Sequence, residues 1–118
     1  MSIDGSWSAA AAELGGAPFP DEIRKSIRLV VRDGQYTVTV GAQPDKGTIV
    51  LDTTKKPMSL DITGTEGPNQ GRTFLAICER TGDTLKICYD LSGKSWPTEF
   101  KTVKGTQLFL VTYARDKP

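Results

Sequence analysis

The chain has 118 residues, enough for one domain over residues 1–118, and its 37% hydrophobic and 25% charged residues are typical of a globular protein. The formal net charge of +1 provides no basic excess for binding nucleic acid, so we expect no such partner. Histidine is absent, which excludes Ser-His-Asp and Cys-His catalysis, the usual zinc sites and a His-ligated haem. We therefore predict no metal and no cofactor.

The first residues of the chain do not have the pattern of an export signal. No basic segment precedes an apolar core, and the alanine run at 9–12 is too short and too weakly apolar to act as one. No stretch approaches the roughly 20 apolar residues that cross a bilayer, so we expect no membrane span. The sequence favours a cytoplasmic protein, with a mature secreted form as the alternative.

Short segments with strand character begin near the start of the chain. Residues 5–14 are bracketed by glycines at strand length and predict a first strand, although their alanine content also suits a helix. Proline, then acids, then bases at 20–25 predict a single helical turn. Strands follow at 26–32 and 35–40, separated by Asp33-Gly34, which favours a type I′ hairpin turn because both residues tolerate positive φ.

The alternation of apolar and polar residues continues to the end of the chain. It predicts further strands at 46–52, 58–63, 73–79, 84–89, 97–101 and 106–115. No long helical segment separates them, so neighbouring strands should pair antiparallel through hairpins, one of them at Thr81-Gly82-Asp83. A sheet of this size buries its apolar face and removes its edges by closing on itself. We predict an all-β fold, an up-and-down antiparallel β-barrel of eight or nine strands, with a β-sandwich as the main alternative.

Two short elements resemble those of a known family. Gly5-Ser6-Trp7 resembles the G-x-W signature of lipocalins, in which the Trp closes the barrel floor and an Arg from the last strand lies across its ring. Arg115 stands where that Arg would be, and a guanidinium stacks on an indole by cation–π attraction. The resemblance therefore implies that Trp7 and Arg115 form a structural floor rather than a binding site.

A longer resemblance covers nearly the whole chain. Four segments, in their order and spacing, resemble an uncharacterised bacterial lipocalin-like domain family that was first noted for its abundance in planctomycetes. These segments are residues 51–57, 65–73, 82–89 and 97–100. Trp96 departs from the pattern, since an Arg is expected before the Pro-Thr-Glu-Phe element. The resemblance implies a lipocalin-like barrel and assigns no activity.

Barrels of this kind bind ligands in the mouth, against inward side chains from several strands. Alternation predicts inward side chains that hold a small apolar or aromatic ligand at Tyr36, Val38, Leu60, Ile62, Ile87, Tyr89 and Phe100. Trp96 is added to the predicted ligand-binding residues from its loop. The alternative is a solid core, because eight strands enclose barely more space than their side chains fill. We take small-molecule binding as the leading hypothesis for function.

Trp96 lies in a predicted loop, where a large apolar ring is costly to expose. It is predicted to cover the mouth, to pack on the rim or to anchor a protein partner, since Trp is favoured at the centres of interfaces. A protein-interaction module using this loop is the second hypothesis. Cys78 and Cys88 lie nearly opposite each other on adjacent predicted strands, and we expect two small strand residues rather than a disulfide.

A barrel-mouth enzyme, a hydrolase or an isomerase using Tyr and carboxylate groups, is the third hypothesis. Its candidate catalytic residues are Glu99, Tyr89 and Asp61. An inward Phe100 sends Glu99 outward, where an ion pair with Arg72 or Lys101 is expected, whereas an inward Glu99 would be a buried carboxylate and a candidate base. The chain is more simply interpreted as a non-enzyme.

Overall fold

The computed structural model describes residues 3–41 and 43–116. Within these residues, nine strands form one antiparallel sheet in the order β2-β1-β3-β4-β5-β6-β7-β8-β9, and β9 also pairs with β1. The elements are β1 Gly5–Leu14, β2 Ala17–Pro18, α1 Asp21–Arg24, β3 Arg28–Arg32, β4 Gln35–Val40, β5 Gln43–Asp52, β6 Met58–Glu66, β7 Thr73–Thr81, β8 Thr84–Asp90 and β9 Leu108–Arg115. The β1–β9 pairing closes eight strands into an up-and-down barrel, and β2 is a two-residue addition to β1. The predicted fold class is confirmed.

Local sequence accounts for most of these boundaries. Asp33 and Gly34 have φ values of 51° and 79°, so both residues of the β3–β4 turn adopt the positive φ of the predicted type I′ hairpin. The helical turn forms as predicted, with Pro20 before its first residue. In β1 the pairing with β9 shifts between Ala9 and Ala11, so Ala10 is an extra residue of a β-bulge. The bulge keeps Trp7, Ala9 and Ala12 on the inner face.

Trp7 closes one end of the barrel. Its side chain is fully buried and its indole N–H donates a hydrogen bond to the carbonyl of Ile3 at 3.0 Å. The guanidinium carbons of Arg80 and Arg115 lie 5.4 and 5.7 Å from its ring centroid. Both are within cation–π range, so two guanidinium groups and one indole form this floor. Arg115 occupies its predicted place, and the role of Arg80 was not predicted.

The segment that joins β8 to β9, residues 91–107, contains no strand, so the prediction of a strand at 97–101 is wrong. We call this segment the strap. The carboxylate of Asp90 accepts hydrogen bonds from the backbone N–H groups of Ser92 (2.9 Å) and Ser95 (3.1 Å), which ends β8 and turns the chain. Because β8 and β9 already pair with each other, no sheet edge remains for a further strand here.

The strap crosses the outer surface of the barrel. The Cys88 thiol lies 3.6 Å from the carbonyl oxygen of Lys101, and the Thr102 hydroxyl hydrogen-bonds both the Glu13 carboxylate and the backbone N–H of Gly16. Cys88 and Ile77 point away from the interior, yet both are buried. The strap therefore covers an apolar patch on the outer wall, and the main core lies inside the barrel.

Candidate functional site

The interior of the barrel is not completely filled. Trp7, Leu85 and Val111 are fully buried in the core and do not line the open space. That space is a cavity of about 270 Å³. Its lining includes two exposed residues at the end opposite Trp7: Val40, the last residue of β4, and Pro68, in the loop after β6. The cavity therefore opens at that end of the barrel.

The cavity wall is mainly apolar and comes from most of the barrel strands. Six of the predicted ligand-binding residues line it: Tyr36, Val38, Leu60, Ile62, Ile87 and Tyr89. Period-two alternation places them there, since each shares a face with other buried residues of its strand. Sequence reasoning missed other lining residues, including Ile27, Phe74 and Phe109.

Trp96 and Phe100, both predicted to bind the ligand, do not line the cavity, and the prediction that Phe100 faces the interior is wrong. Both belong to the strap, which leaves the barrel after Asp90. The indole N–H of Trp96 donates to the carboxylate of Asp61 at 3.0 Å, and the ammonium of Lys55 lies 4.4 Å from the ring centroid. Asp61 alternates with the inward Leu60 and Ile62, so Trp96 packs on the outer wall. Three placements were predicted for Trp96: over the mouth, on the rim, or exposed as an anchor for a protein partner. In the structure, Trp96 neither covers the mouth nor packs on the rim.

One side of the cavity is built from stacked aromatic rings. Phe109 on β9 stacks between Phe19, at a centroid distance of 5.3 Å, and Tyr89, at 5.5 Å. The hydroxyl of Tyr89 hydrogen-bonds that of Tyr113 at 3.0 Å. Burial raises the pKa of Tyr113 to about 12, and burial followed by the neighbouring Tyr113 raises the pKa of Tyr89 well above its usual value. Both groups are therefore neutral phenols at physiological pH.

A carboxylate interrupts the apolar wall on the opposite strands. Asp45 on β5 pairs with Val38 on β4, lines the cavity and is only 7% exposed. Its Oδ2 accepts a hydrogen bond from the side-chain amide of Asn69 at 2.6 Å. Its Oδ1 is buried and has no hydrogen-bond partner among the described residues. Buried polar atoms without partners are rare in folded proteins and call for an explanation.

Sequence reasoning missed Asp45 because the strand that corresponds to β5 was predicted to begin at Lys46. The structure begins it at Gln43, so the inward alternation of Ile49 continues back through Gly47 to Asp45. Counting by twos from Ile49 would have placed a charged residue on the inner face. That conflict between charge and burial is the signal that could have identified Asp45.

Gly47 makes room for Tyr36 on the wall next to Asp45. A Cβ at position 47 would lie 2.8 Å from Cε1 of Tyr36 and would clash with the carbonyl oxygen of Thr63. Burial, followed by the negative charge of Asp45, raises the pKa of Tyr36 to about 12. Tyr36 is therefore a neutral phenol beside the carboxylate.

The three predicted catalytic residues are not brought together. Tyr89 faces the interior, whereas Asp61 lies on the outer wall against Trp96. Glu99 is exposed and forms an ion pair with Lys101 at 3.0 Å, one of the two partners expected for an outward Glu99. These residues therefore form no acid–base pair around a common site.

The two cysteines are free and buried, and they face opposite sides of the sheet. Cys78 pairs with Ile87, whereas Cys88 pairs with Ile77, so the cysteines are not directly opposite each other. Cys78 belongs to the interior core and Cys88 to the patch under the strap. Side chains on opposite faces of a sheet cannot form a disulfide without backbone movement. Burial raises the pKa of both thiols, that of Cys78 to about 12.

A second depression, of about 630 Å³, lies on the outer face of β3, β4 and β5. Its lining contains exposed charged residues of both signs, including Arg32, Asp33, Lys46 and Glu66. An open, mixed-charge surface leaves a small molecule largely in water, so the interior cavity is the better candidate site.

Within residues 3–41 and 43–116, no group of three or more Cys, Asp or Glu side chains is placed to hold a metal ion. The helical turn found in the same residues is four residues long, and no helix there reaches the length or apolarity of a membrane-spanning helix. Comparison of the chain with protein-family models, with curated proteins and with solved structures finds no match.

Proposed function

We propose that this protein binds a small, mainly apolar molecule inside the barrel. The observation that carries the proposal is the cavity of about 270 Å³, lined largely by aliphatic and aromatic side chains and open at one end. A cavity of roughly 150 Å³ holds benzene, so this one suits a ligand of about ten non-hydrogen atoms. A closed barrel with a fixed floor holds such a wall in place before the ligand arrives, which reduces the cost of binding.

The proposed membership of a lipocalin-like family agrees with this function. An up-and-down barrel with a Trp–Arg floor at one end and an open mouth at the other is the arrangement that the resemblance implies. A protein partner at Trp96 remains the second hypothesis. Its ring is 40% exposed, but Asp61 and Lys55 already hold it against the barrel wall.

The proposal is tested by titrating the protein with 2-phenylethanol, a neutral aromatic molecule of suitable size, in a calorimeter. We expect saturable binding with one site and a dissociation constant on the order of 0.1–1 mM, the range expected for so few atoms. Native mass spectrometry of freshly purified protein would show whether a small molecule of similar size accompanies it.

Two neighbouring positions on β5 provide matched variants. Ile49 lines the cavity, whereas Val50 points outward and is 66% exposed. Ile49→Trp should fill the cavity and abolish binding, and Val50→Trp should leave it unchanged. Ile87→Phe replaces Ile49→Trp if that variant does not fold. Absence of saturable heat with the wild type, or equal binding by all variants, would overturn the proposal.

A further inference from the structure

The carboxyl group of Asp45 has one oxygen atom with a hydrogen-bond partner and one without. Packing alone does not explain why such a group lines this cavity. A buried acceptor without a partner costs free energy, and the cost is larger when the group is charged. Asn69 satisfies Oδ2, but Oδ1 is left without a donor from the described residues while its side chain lines the cavity.

The surroundings limit what could satisfy Oδ1. Among the described lining residues, Asp45 is the only carboxylic acid, and no lysine or arginine is present to pair with it. Tyr36, its neighbour, is a neutral phenol that provides no countercharge. The loop after β6 approaches from the other side, where a Cβ at Gly67 would lie 3.2 Å from Oδ1 of Asp45. None of the described residues therefore supplies a positive charge or a donor to Oδ1, and a molecule in the cavity can supply both.

An organic ammonium meets both requirements. Its N–H groups donate to a carboxylate in short, charge-assisted hydrogen bonds, and its positive charge compensates that of Asp45. A metal ion requires several oxygen ligands, and no such cluster lies in the described residues. Apart from Gln43 and Asn69, the remaining wall is aliphatic and aromatic, which suits an apolar body attached to the ammonium group.

We propose that Asp45 is the recognition group of the cavity and that the ligand is a small amine with an apolar or aromatic body. This inference rests on the proposed function, because it names the chemical class that the same cavity selects. The ammonium group donates to Oδ1 of Asp45, and the body occupies the space between Leu60, Ile87 and the Tyr89–Phe109 stack.

The test compares three probes of similar size by calorimetry at neutral pH: 2-phenylethylamine, 2-phenylethanol and 3-phenylpropionate. The wild type should bind the amine at least about tenfold more tightly than the alcohol and should bind the carboxylate most weakly. Asp45→Asn should reduce amine affinity by about tenfold and leave the affinity for the alcohol unchanged. The unchanged alcohol affinity separates loss of recognition from loss of structure.

Asp61→Asn is the matched control, because it removes the same charge from the outer wall of the neighbouring strand. It should change neither affinity. Asp45→Ser provides a second neutral replacement if Asp45→Asn does not fold. Equal affinities of the wild type for amine and alcohol, or unchanged amine binding by Asp45→Asn, would overturn this inference and leave the proposed function standing. If none of the three probes binds, the proposed function fails as well.

Discussion

Asp45→Asn should increase the stability of the unliganded protein. Asp45 is buried with one oxygen unpartnered among the described residues, and an unsatisfied buried polar group costs about 1–3 kcal/mol. Asparagine keeps a carbonyl oxygen for the amide of Asn69 and removes the buried charge. We expect the free energy of unfolding to rise by about 1 kcal/mol, which corresponds to roughly 4 °C in Tm for a domain of this size.

The measurement is urea-induced unfolding followed by the fluorescence of Trp7 and Trp96, with the free energy extrapolated to water and the slopes compared. Asp90→Asn is the control, because Asp90 is as buried as Asp45 but accepts hydrogen bonds from Ser92 and Ser95. That variant should lose about 1–2 kcal/mol. If Asp45→Asn is destabilised as much as Asp90→Asn, Oδ1 of Asp45 is satisfied and the reasoning is refuted.

Three further predictions concern the strap and the buried titratable groups. Trp96→Ala removes the hydrogen bond to Asp61 and should lower the free energy of unfolding by about 1 kcal/mol. Calorimetry should show an unchanged ligand affinity, and a reduced affinity would indicate that Trp96 contacts the ligand at the mouth. For Asp90, burial alone would raise the pKa, but hydrogen bonds from Ser92 and Ser95 outweigh it and lower the pKa below 3.8. The Asp90 carboxylate therefore stabilises the fold above pH 3.8. The difference in the free energy of unfolding between the wild type and Asp90→Asn, measured in urea, should shrink as the pH falls through the lowered pKa of Asp90. A difference that persists below that pKa contradicts the stabilising role of the carboxylate. Burial raises the pKa of Cys78 and Cys88, so both thiols should react slowly with a disulfide reagent at pH 8 in the folded protein and rapidly in denaturant; a fast reaction of the folded protein would show that one of them is accessible.

The fold could be predicted from the sequence because short stretches of neighbouring residues determine where its strands lie and where the chain turns. Alternation with period two marks which residues of a strand face inward, and pairs such as Asp33-Gly34 mark where the chain reverses. Strands linked by tight turns leave few ways to bury one apolar face, and closure of the barrel is the simplest. β1 and β4 accordingly have the predicted bounds.

The strap was mispredicted because half-buried and exposed residues also alternate in an irregular segment that packs on a surface. Phe100 is half-buried and Glu99 is exposed, as in a strand, but the segment around them consists of bends. What decides between the two is the turn after Asp90, built from backbone N–H groups that bind one carboxylate. No hydrophobic pattern reports such a turn.

Part of the site could be predicted, but its volume could not. Inward residues such as Leu60 and Ile87 follow from alternation, whereas the unfilled space depends on how the side chains of most of the strands pack together. Asp45 was missed because the start of β5 was placed three residues late, at Lys46 rather than Gln43. Strand ends are weakly determined by local pattern, since polar residues there suit a loop equally well.

The most direct test of ligand binding inside the barrel is an NMR titration of protein labelled at its Ile, Leu and Val methyl groups with 2-phenylethylamine. We predict saturable shifts at Leu60, Ile62 and Ile87, which line the cavity, and intermolecular contacts from these methyl groups to the aromatic ring. The outward methyl groups of Val30 and Val50 should not respond. Shifts confined to the outer wall, or shifts that do not saturate, would contradict binding in the barrel interior.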